Sequence, residues 1–385
     1  MGRVLSIVVF LSVLSLVVGG GHYYLWARWV RDTELPNPWP SLVTAALVFA
    51  GVAMIAAPIL YRLLDGGWAK GLIVPAYLWF GMAFYAVLLL AAGDIGKLFS
   101  HLGTGEFVPA RRLAMVRAFS GGAALGSLLL TGAAVRAATR IPAVKKVRVT
   151  LQKLPKTLKG LRLVQLSDIH IGPTVTKAYL EGVVEKVNAL KPDLVVITGD
   201  LVDGSVKELG DAVSPLADLV TRYGVFFSTG NHEYYSGVRQ WMEFLPTLGL
   251  RVLRNERIEL EHNGARFFLA GVDDHTAAGF GHGHGPDYDK ALGGLSPEDT
   301  VILLAHQPVQ IKYATRIGVD LVLSGHTHGG QLWPFGALVL LAQPYISGLH
   351  RHDERAQIYV SRGTGYWGPP MRLGAPAEIT ELELA

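Results

Sequence analysis

The feature that most constrains this chain is where its uninterrupted apolar sequence lies. Four stretches free of charged residues fall in the first 140 positions, near 4–20, 42–61, 71–93 and 118–135. A helix needs about 20 mostly apolar residues to cross the hydrocarbon core of a bilayer. The expectation is a transmembrane region over residues 1–140 with about four spans. The first is read as an uncleaved span, because Val17-Val18-Gly19-Gly20 offers no small-x-small cleavage site and further apolar stretches follow. None of the four carries a charge inside its apolar run, which argues against an ion or substrate path through them.

Charge divides the chain at the same place. Residues 1–150 carry 14 Lys and Arg against 5 Asp and Glu, and the remainder carries 21 against 26. The basic excess therefore belongs to the apolar region, with residues 141–148 read as a basic juxtamembrane linker to anionic headgroups. An acidic C-terminal part is a poor reader of polymeric nucleic acid, which needs a basic working face. Four spans would put the N-terminus and the C-terminal part on one side of the membrane. Lysines and arginines divide almost evenly between the two sides, so they do not set the orientation. Arg111, Arg112 and Arg117 precede a Gly/Ala-rich apolar run that loosely resembles a twin-arginine export signal. On that reading the C-terminal part is extracytoplasmic.

Residues 149–385 read as one α/β domain. Short apolar strand candidates at 161–166, 194–198, 225–229, 267–272, 301–305 and 321–324 are separated by helical spacing, notably at 176–190, 238–248 and 309–317. Late strands are expected at 358–361 and 379–384. Polar residues of metal-binding type follow five of these runs: Asp168 and His170, Gly199–Asp203, Gly230–Glu233, His306, and Gly325–His328. In open α/β sheets, ligands bind at the carboxyl ends of strands. Residues far apart in sequence are thereby placed to converge. Cysteine is absent, so any metal set consists of oxygen and imidazole nitrogen, suited to manganese, iron, zinc or magnesium. The ligands suffice for two ions sharing a carboxylate, a pair that can clamp a phosphoryl group.

The five blocks D-x-H, G-D-x-x-D, G-N-H-[DE], an isolated His and G-H-x-H, in that order, resemble the calcineurin-like metallophosphoesterase superfamily. Leu166–His170, Gly325–Gln331, Tyr359–Gly363 and the preceding spans resemble its membrane-associated YkuE/YaeI-like branch. The resemblance implies a four-layer α/β/β/α sandwich on a bacterial-type cytoplasmic membrane. It implies that Asp168, His170 and His328 ligate one divalent metal, that Asn231, His306 and His326 ligate a second, and that Asp200 bridges them, with manganese the expected occupant. A metal-bridging hydroxide would attack phosphorus in line, and His232 would be the general acid. Asp203 and Glu233 would orient histidines from behind, or form simple loop salt bridges.

The expected activity is hydrolysis of a phosphoester, as a phosphodiesterase on a lipid-linked or envelope substrate. The alternatives are a UDP-2,3-diacylglucosamine-type pyrophosphate hydrolase, a nucleotide phosphodiesterase or nuclease, and a non-catalytic metal-binding membrane module. Substrate identity and oligomeric state are not readable. His275, His282 and His284 are read as part of a solvated Gly-rich loop. Trp333, Phe335, Tyr345, Tyr366 and Trp367 are either packing residues or an aromatic lip beside the site.

Overall fold

The computed structural model describes residues 2–63, 67–100 and 109–385, and the side chains at 2–7, 10, 11, 58, 61–63, 67–70, 97–100, 109, 110 and 317 lie outside that description. The chain divides into two compact units, one holding residues 1–136 with 368–371, the other residues 137–367 with 372–385.

The first unit is helical: α1 Gly2–Trp26, α2 Trp39–Leu63, α3 Gly67–Ser100 and α4 Pro109–Ala138. Among the described residues, three segments are long and apolar enough to cross a membrane: Trp39–Ala57, Gly71–Gly96 and Arg111–Ala138. They contain or overlap the second, third and fourth spans expected from sequence. The stretch 4–20 is helical in backbone, but its side chains at 4–7, 10 and 11 lie outside the described residues. Leu25, Leu47, Ala83, Ala86, Leu90 and Ala123 pack a common core, with alanines where helices approach. The charges near the helix ends are paired: Arg28 meets Asp32 at 2.7 Å and Asp94 at 2.6 Å.

The second unit holds two six-stranded sheets. The strands are β1 Ala143–Val149, β2 Arg162–Leu166, β3 Leu194–Thr198, β4 Val225–Ser228, β5 Leu250–Val252, β6 Glu256–His262, β7 Ala265–Gly271, β8 Val301–Leu304, β9 Leu321–Ser324, β10 Gly348–Arg351, β11 Gln357–Val360 and β12 Glu378–Leu384. One sheet runs β1-β12-β2-β3-β4-β5 and the other β10-β11-β9-β8-β7-β6. Strands β2, β3, β4 and β5 pair in parallel, as do β7, β8, β9 and β11.

Alternation within strands explains why the two sheets face one another. Leu194 and Val196 of β3 point inward with Ile302 and Leu304 of β8 and Leu321 and Leu323 of β9, all in one buried cluster. Their neighbours Val195 and Ile197 point outward into a second cluster with Leu180, Val183 and Val187 of α5, Lys177–Ala189. Val301, Leu303 and Val322 point outward on the other side, into a third cluster with Leu292 and Ile311. A strand covered on both faces reads as an unbroken apolar run. The result is helix, sheet, sheet, helix.

Residues 141–148, expected to be a linker, instead contribute most of the edge strand β1, which pairs in parallel with β12. Its lysines face carboxylates on β12, Lys145 to Glu378 at 3.5 Å and Lys146 to Glu381 at 3.4 Å. Lysine on an exposed edge is also what keeps such a strand from pairing with another chain, so the basic character belongs to the sheet edge.

Candidate metal centre

Every block identified in the sequence follows the carboxyl end of a strand, on a short loop or, for Asn231 and His232, in the first turn of the short helix Asn231–Tyr235. β2 delivers Asp168 and His170, β3 delivers Asp200 and Asp203, and β4 delivers Asn231 and His232. From the second sheet β8 delivers His306, and β9 delivers His326 and His328. Backbone bonds tie these loops together. The Asp168 N–H donates to Gly199 O at 3.1 Å, His170 N–H to Asp200 O at 3.1 Å, and Gly325 N–H to His306 O at 2.9 Å.

The loops are tight enough to strain the backbone. Asp168, His170, Asp200, His326 and His328 all have φ between 51° and 69°. Side-chain-bearing residues rarely take that conformation, and it concentrates at functional sites. Glycine is required where one loop presses on the next. A Cβ on Gly230 would strike Asp200 Oδ1, and one on Gly325 would strike Ser167 Oγ and Asp168 Oδ2.

Two groups of potential ligand atoms result: Asp168, His170 and His328 form one, and Asp200, His306 and His326 the other, with atoms inside each within 4.8 Å of one another. A third grouping, His170, Asp200 and His232, shares members with both. Asp200 joins them, its Oδ2 lying 3.1 Å from His306 Nε2 and 3.8 Å from His170 Nε2. The fit to cations rests on two atoms. Asp168 Oδ2 and Asn231 Oδ1 are buried and have no hydrogen-bond partner. Leaving a buried acceptor unpaired is costly, and bound cations would offer such oxygens a partner. Oxygen and imidazole donors without thiolate suit hard to borderline divalent ions.

The groups behind the ligands fix ring orientation. His306 Nδ1 lies 2.7 Å from Thr198 O. A carbonyl only accepts, so Nδ1 carries a proton, and the ring is held with Nε2 toward Asp200 Oδ2. Asp203 Oδ1 accepts from two rings at once, His170 Nδ1 at 2.9 Å and His232 Nδ1 at 2.6 Å. Burial of Asp203 is outweighed by these two histidines, which hold its carboxyl well below the usual carboxylate range. Burial likewise opposes a charge on His232, but the Asp200 and Asp203 carboxylates prevail and push its imidazole up to about 9. Its ring meets Tyr235 at 5.2 Å and Trp367 at 6.0 Å, both edge-on.

Glu233 does something else than orient a histidine. Its carboxylate accepts from three backbone N–H groups, those of Asp200 at 3.0 Å, Leu201 at 2.8 Å and Gly230 at 2.7 Å. It therefore shapes the β3 and β4 loops. Burial and the neighbouring Asp200 push it up to about 7, against the lowering effect of those bonds.

Sequence spacing gave no sign of Arg372. This fully buried guanidinium donates to Gly365 O at 2.8 Å, Ala375 O at 2.9 Å, Arg362 O at 2.7 Å and His328 O at 3.1 Å, and faces His328 Nδ1 at 3.1 Å. Burial lowers it to about 10, which leaves it cationic at neutral pH. The His/Gly loop joins none of the metal-type groups. His284 instead lies 3.0 Å from Arg254, and His275 stacks on Tyr313. A cavity of about 900 Å³ beside that loop, lined in part by Asn255, His284, Lys290 and Arg316, contains none of the metal-type residues.

The sequence matches the calcineurin-like phosphoesterase family over residues 161–330. It is 33% identical over 383 residues to an uncharacterized metallophosphoesterase of Campylobacter jejuni, with 98% of both chains covered. The chain belongs to the calcineurin-like phosphoesterase family. It is 46% identical over 254 residues to the transmembrane protein with metallophosphoesterase domain of Danio rerio, covering 64% of this chain and 58% of that one. It is 33% identical over 239 residues to the uncharacterized metallophosphoesterase YkuE of Bacillus subtilis, covering 60% and 81%. The chain thus spans 58% of the length of the vertebrate relatives it matches.

Proposed function

We propose that this is a membrane-anchored phosphodiesterase acting on a lipid-linked or envelope phosphoester through two divalent cations. Asp168, His170 and His328 would hold one cation, Asn231, His306 and His326 the other, and Asp200 would be shared. The observation that carries this is the gathering of Asp168, His170 and His328 and of Asp200, His306 and His326 into two ligand groups, with Asp168 Oδ2 and Asn231 Oδ1 buried and without hydrogen-bond partners. Such a pair, with manganese the proposed occupant, supplies Lewis acidity toward phosphoryl oxygens and lowers the pKa of a shared water.

The chain's own residues account for the proton. Asp203 takes the Nδ1–H of His232, which leaves Nε2 as the atom that donates to the departing oxygen. The Asp203 carboxylate held against Nδ1 favours the protonated ring, the state a general acid needs. The backbone N–H of His232 donates to Asp200 Oδ1 at 2.8 Å, so the acid and the shared ligand are positioned together. Asp203 couples the acid to His170 through one oxygen.

A lipid-linked substrate is supported by three helices able to span a membrane and by aromatic side chains exposed beside the site. The acidic balance of the domain disfavours polymeric nucleic acid. An extracytoplasmic domain is supported by the arginines that precede the apolar run of α4. A reporter fused after Ala385 tests the side. The activity is tested by loading the full chain with Mn²⁺ and screening generic phosphomonoesters and phosphodiesters, phospholipids, UDP-linked lipids and nucleotides. Hydrolysis of a diester that is lost in Asp200→Ala supports the reading, and a fully loaded chain inert toward all of them refutes it.

A further inference from the structure

Between His328 and Arg351 the chain has no Asp, Glu, Lys or Arg, a run of 22 residues. The run is not a buried strand. Trp333, Phe335, Leu338, Leu340 and Leu341 are exposed, Trp333 at 69% and Leu341 at 84%. Contiguous exposed apolar area on a soluble domain marks a surface that something covers.

The segment is built to present these side chains. Its backbone is internally bonded, with Leu338 N–H to Phe335 O at 2.9 Å and Leu341 N–H to Leu338 O at 3.1 Å. At its start, Gln331 exchanges two bonds with the backbone of Trp367, at 2.8 and 3.0 Å, and Trp333 N–H donates to Leu373 O at 2.9 Å. At its end, Gln343 accepts from Val309 N–H at 3.0 Å and donates to Gln307 at 3.2 Å. Both ends are pinned by polar groups, and the arch between them turns its apolar side chains outward. Trp367, itself 55% exposed, bonds to Gln331 and lies against His232. The arch therefore borders the candidate metal centre.

The chemistry of the arch selects a bilayer as its occupant. Tryptophan suits the headgroup level, and leucine the acyl region beneath it. A protein partner's footprint carries a polar rim, whereas Gln331 and Gln343 are here spent on internal bonds. The same chain holds three helices able to span a membrane. In the chain, only residues 139–142 separate α4 from β1.

We infer that residues 333–341 form a membrane-inserting lip at the mouth of the metal centre, and that the phosphoester enters from the bilayer surface. The insertion stands on the lip itself, and the route of entry rests on the function proposed above.

Cysteine is absent, so a single introduced cysteine carries a unique label. Leu341→Cys and, as a control, the exposed Val220→Cys are made in the full chain, labelled with a polarity-sensitive fluorophore and reconstituted in nanodiscs of phosphatidylcholine and phosphatidylglycerol. The label at 341 is expected to shift to the blue, to be quenched by lipids carrying nitroxide on their acyl chains, and to be shielded from iodide, while the label at 220 is open to iodide. Equal access to iodide at the two positions overturns the lip. So does shielding at 341 without quenching by lipid, which would mean that protein, such as a second copy, covers it. In a second arm, Leu338→Asp with Leu341→Asp is expected to lower turnover of a phosphodiester lipid in vesicles, relative to soluble bis(p-nitrophenyl) phosphate, by about tenfold, because interfacial binding scales with inserted apolar area. An unchanged ratio overturns the route of entry. If the loaded wild-type chain hydrolyses neither compound, the proposed function fails and the labels still decide the lip.

Discussion

His328 and Leu341 are 13 positions apart in sequence, and each inverts the ordinary rule of burial. His328 is 7% exposed and Leu341 84%. Around His328, polar side chains are packed out of water on strained backbone, and two of their oxygens lack partners. Around Leu341, apolar side chains stand in water on ordered backbone. The strands that support both regions obey the rule, with Leu321, Val322 and Leu323 fully buried directly before the loop. Stability is thus carried by the strands. The two inversions lie in the loop that follows, where one side gathers metal-type ligands and the other exposes apolar side chains.

The sharpest way to break this contrast is at the centre. Replacing His232 by alanine is expected to lower kcat by about 10²–10⁴ on a diester with a poor leaving group. The loss should be smaller with p-nitrophenolate, which needs no proton. An equal loss on both would mean that His232 acts through the structure of the site. Asp203→Asn should cost about 10–100-fold, because it removes the negative charge that two ring N–H groups share. Its thermal unfolding should stay close to wild type if the role is orientation.

A core substitution calibrates the other side of the comparison. Leu323→Ala removes a fully buried side chain between the two sheets, and is expected to destabilise the domain by about 2–5 kcal/mol. Leu341→Ser should change stability by no more than about 0.5 kcal/mol, read by chemical unfolding in detergent. If Leu341→Ser destabilises as Leu323→Ala does, the lip is a packed element and the contrast collapses.

The metal-type residues were legible because the five blocks each follow an apolar run, and parallel strands gather their carboxyl ends. The sheets were legible for a related reason: β3, β8 and β9 are covered on both faces and so read as unbroken apolar runs. Strand β1 was not legible. It lies at an edge, and only Val149 of its seven residues is buried, so its lysines read as a linker. Arg372 was hidden because its partners are carbonyls of loops scattered from 328 to 375, which no local spacing encodes. The aromatic residues near the last block could not be sorted by sequence. The structure separates them, with Tyr366 buried and Trp333, Phe335 and Trp367 exposed.

Metal stoichiometry measured together with turnover on the full-length chain tests the dinuclear centre most directly. After chelation, Mn²⁺ is added in steps while bound metal per chain and hydrolysis of bis(p-nitrophenyl) phosphate are followed in one sample. Binding should saturate at two ions per chain, with activity absent in the stripped protein and rising with occupancy, and Asp200→Ala should bind fewer ions and stay inactive. Two tightly bound ions with no hydrolysis, or hydrolysis undiminished in the stripped chain or in Asp200→Ala, would contradict it.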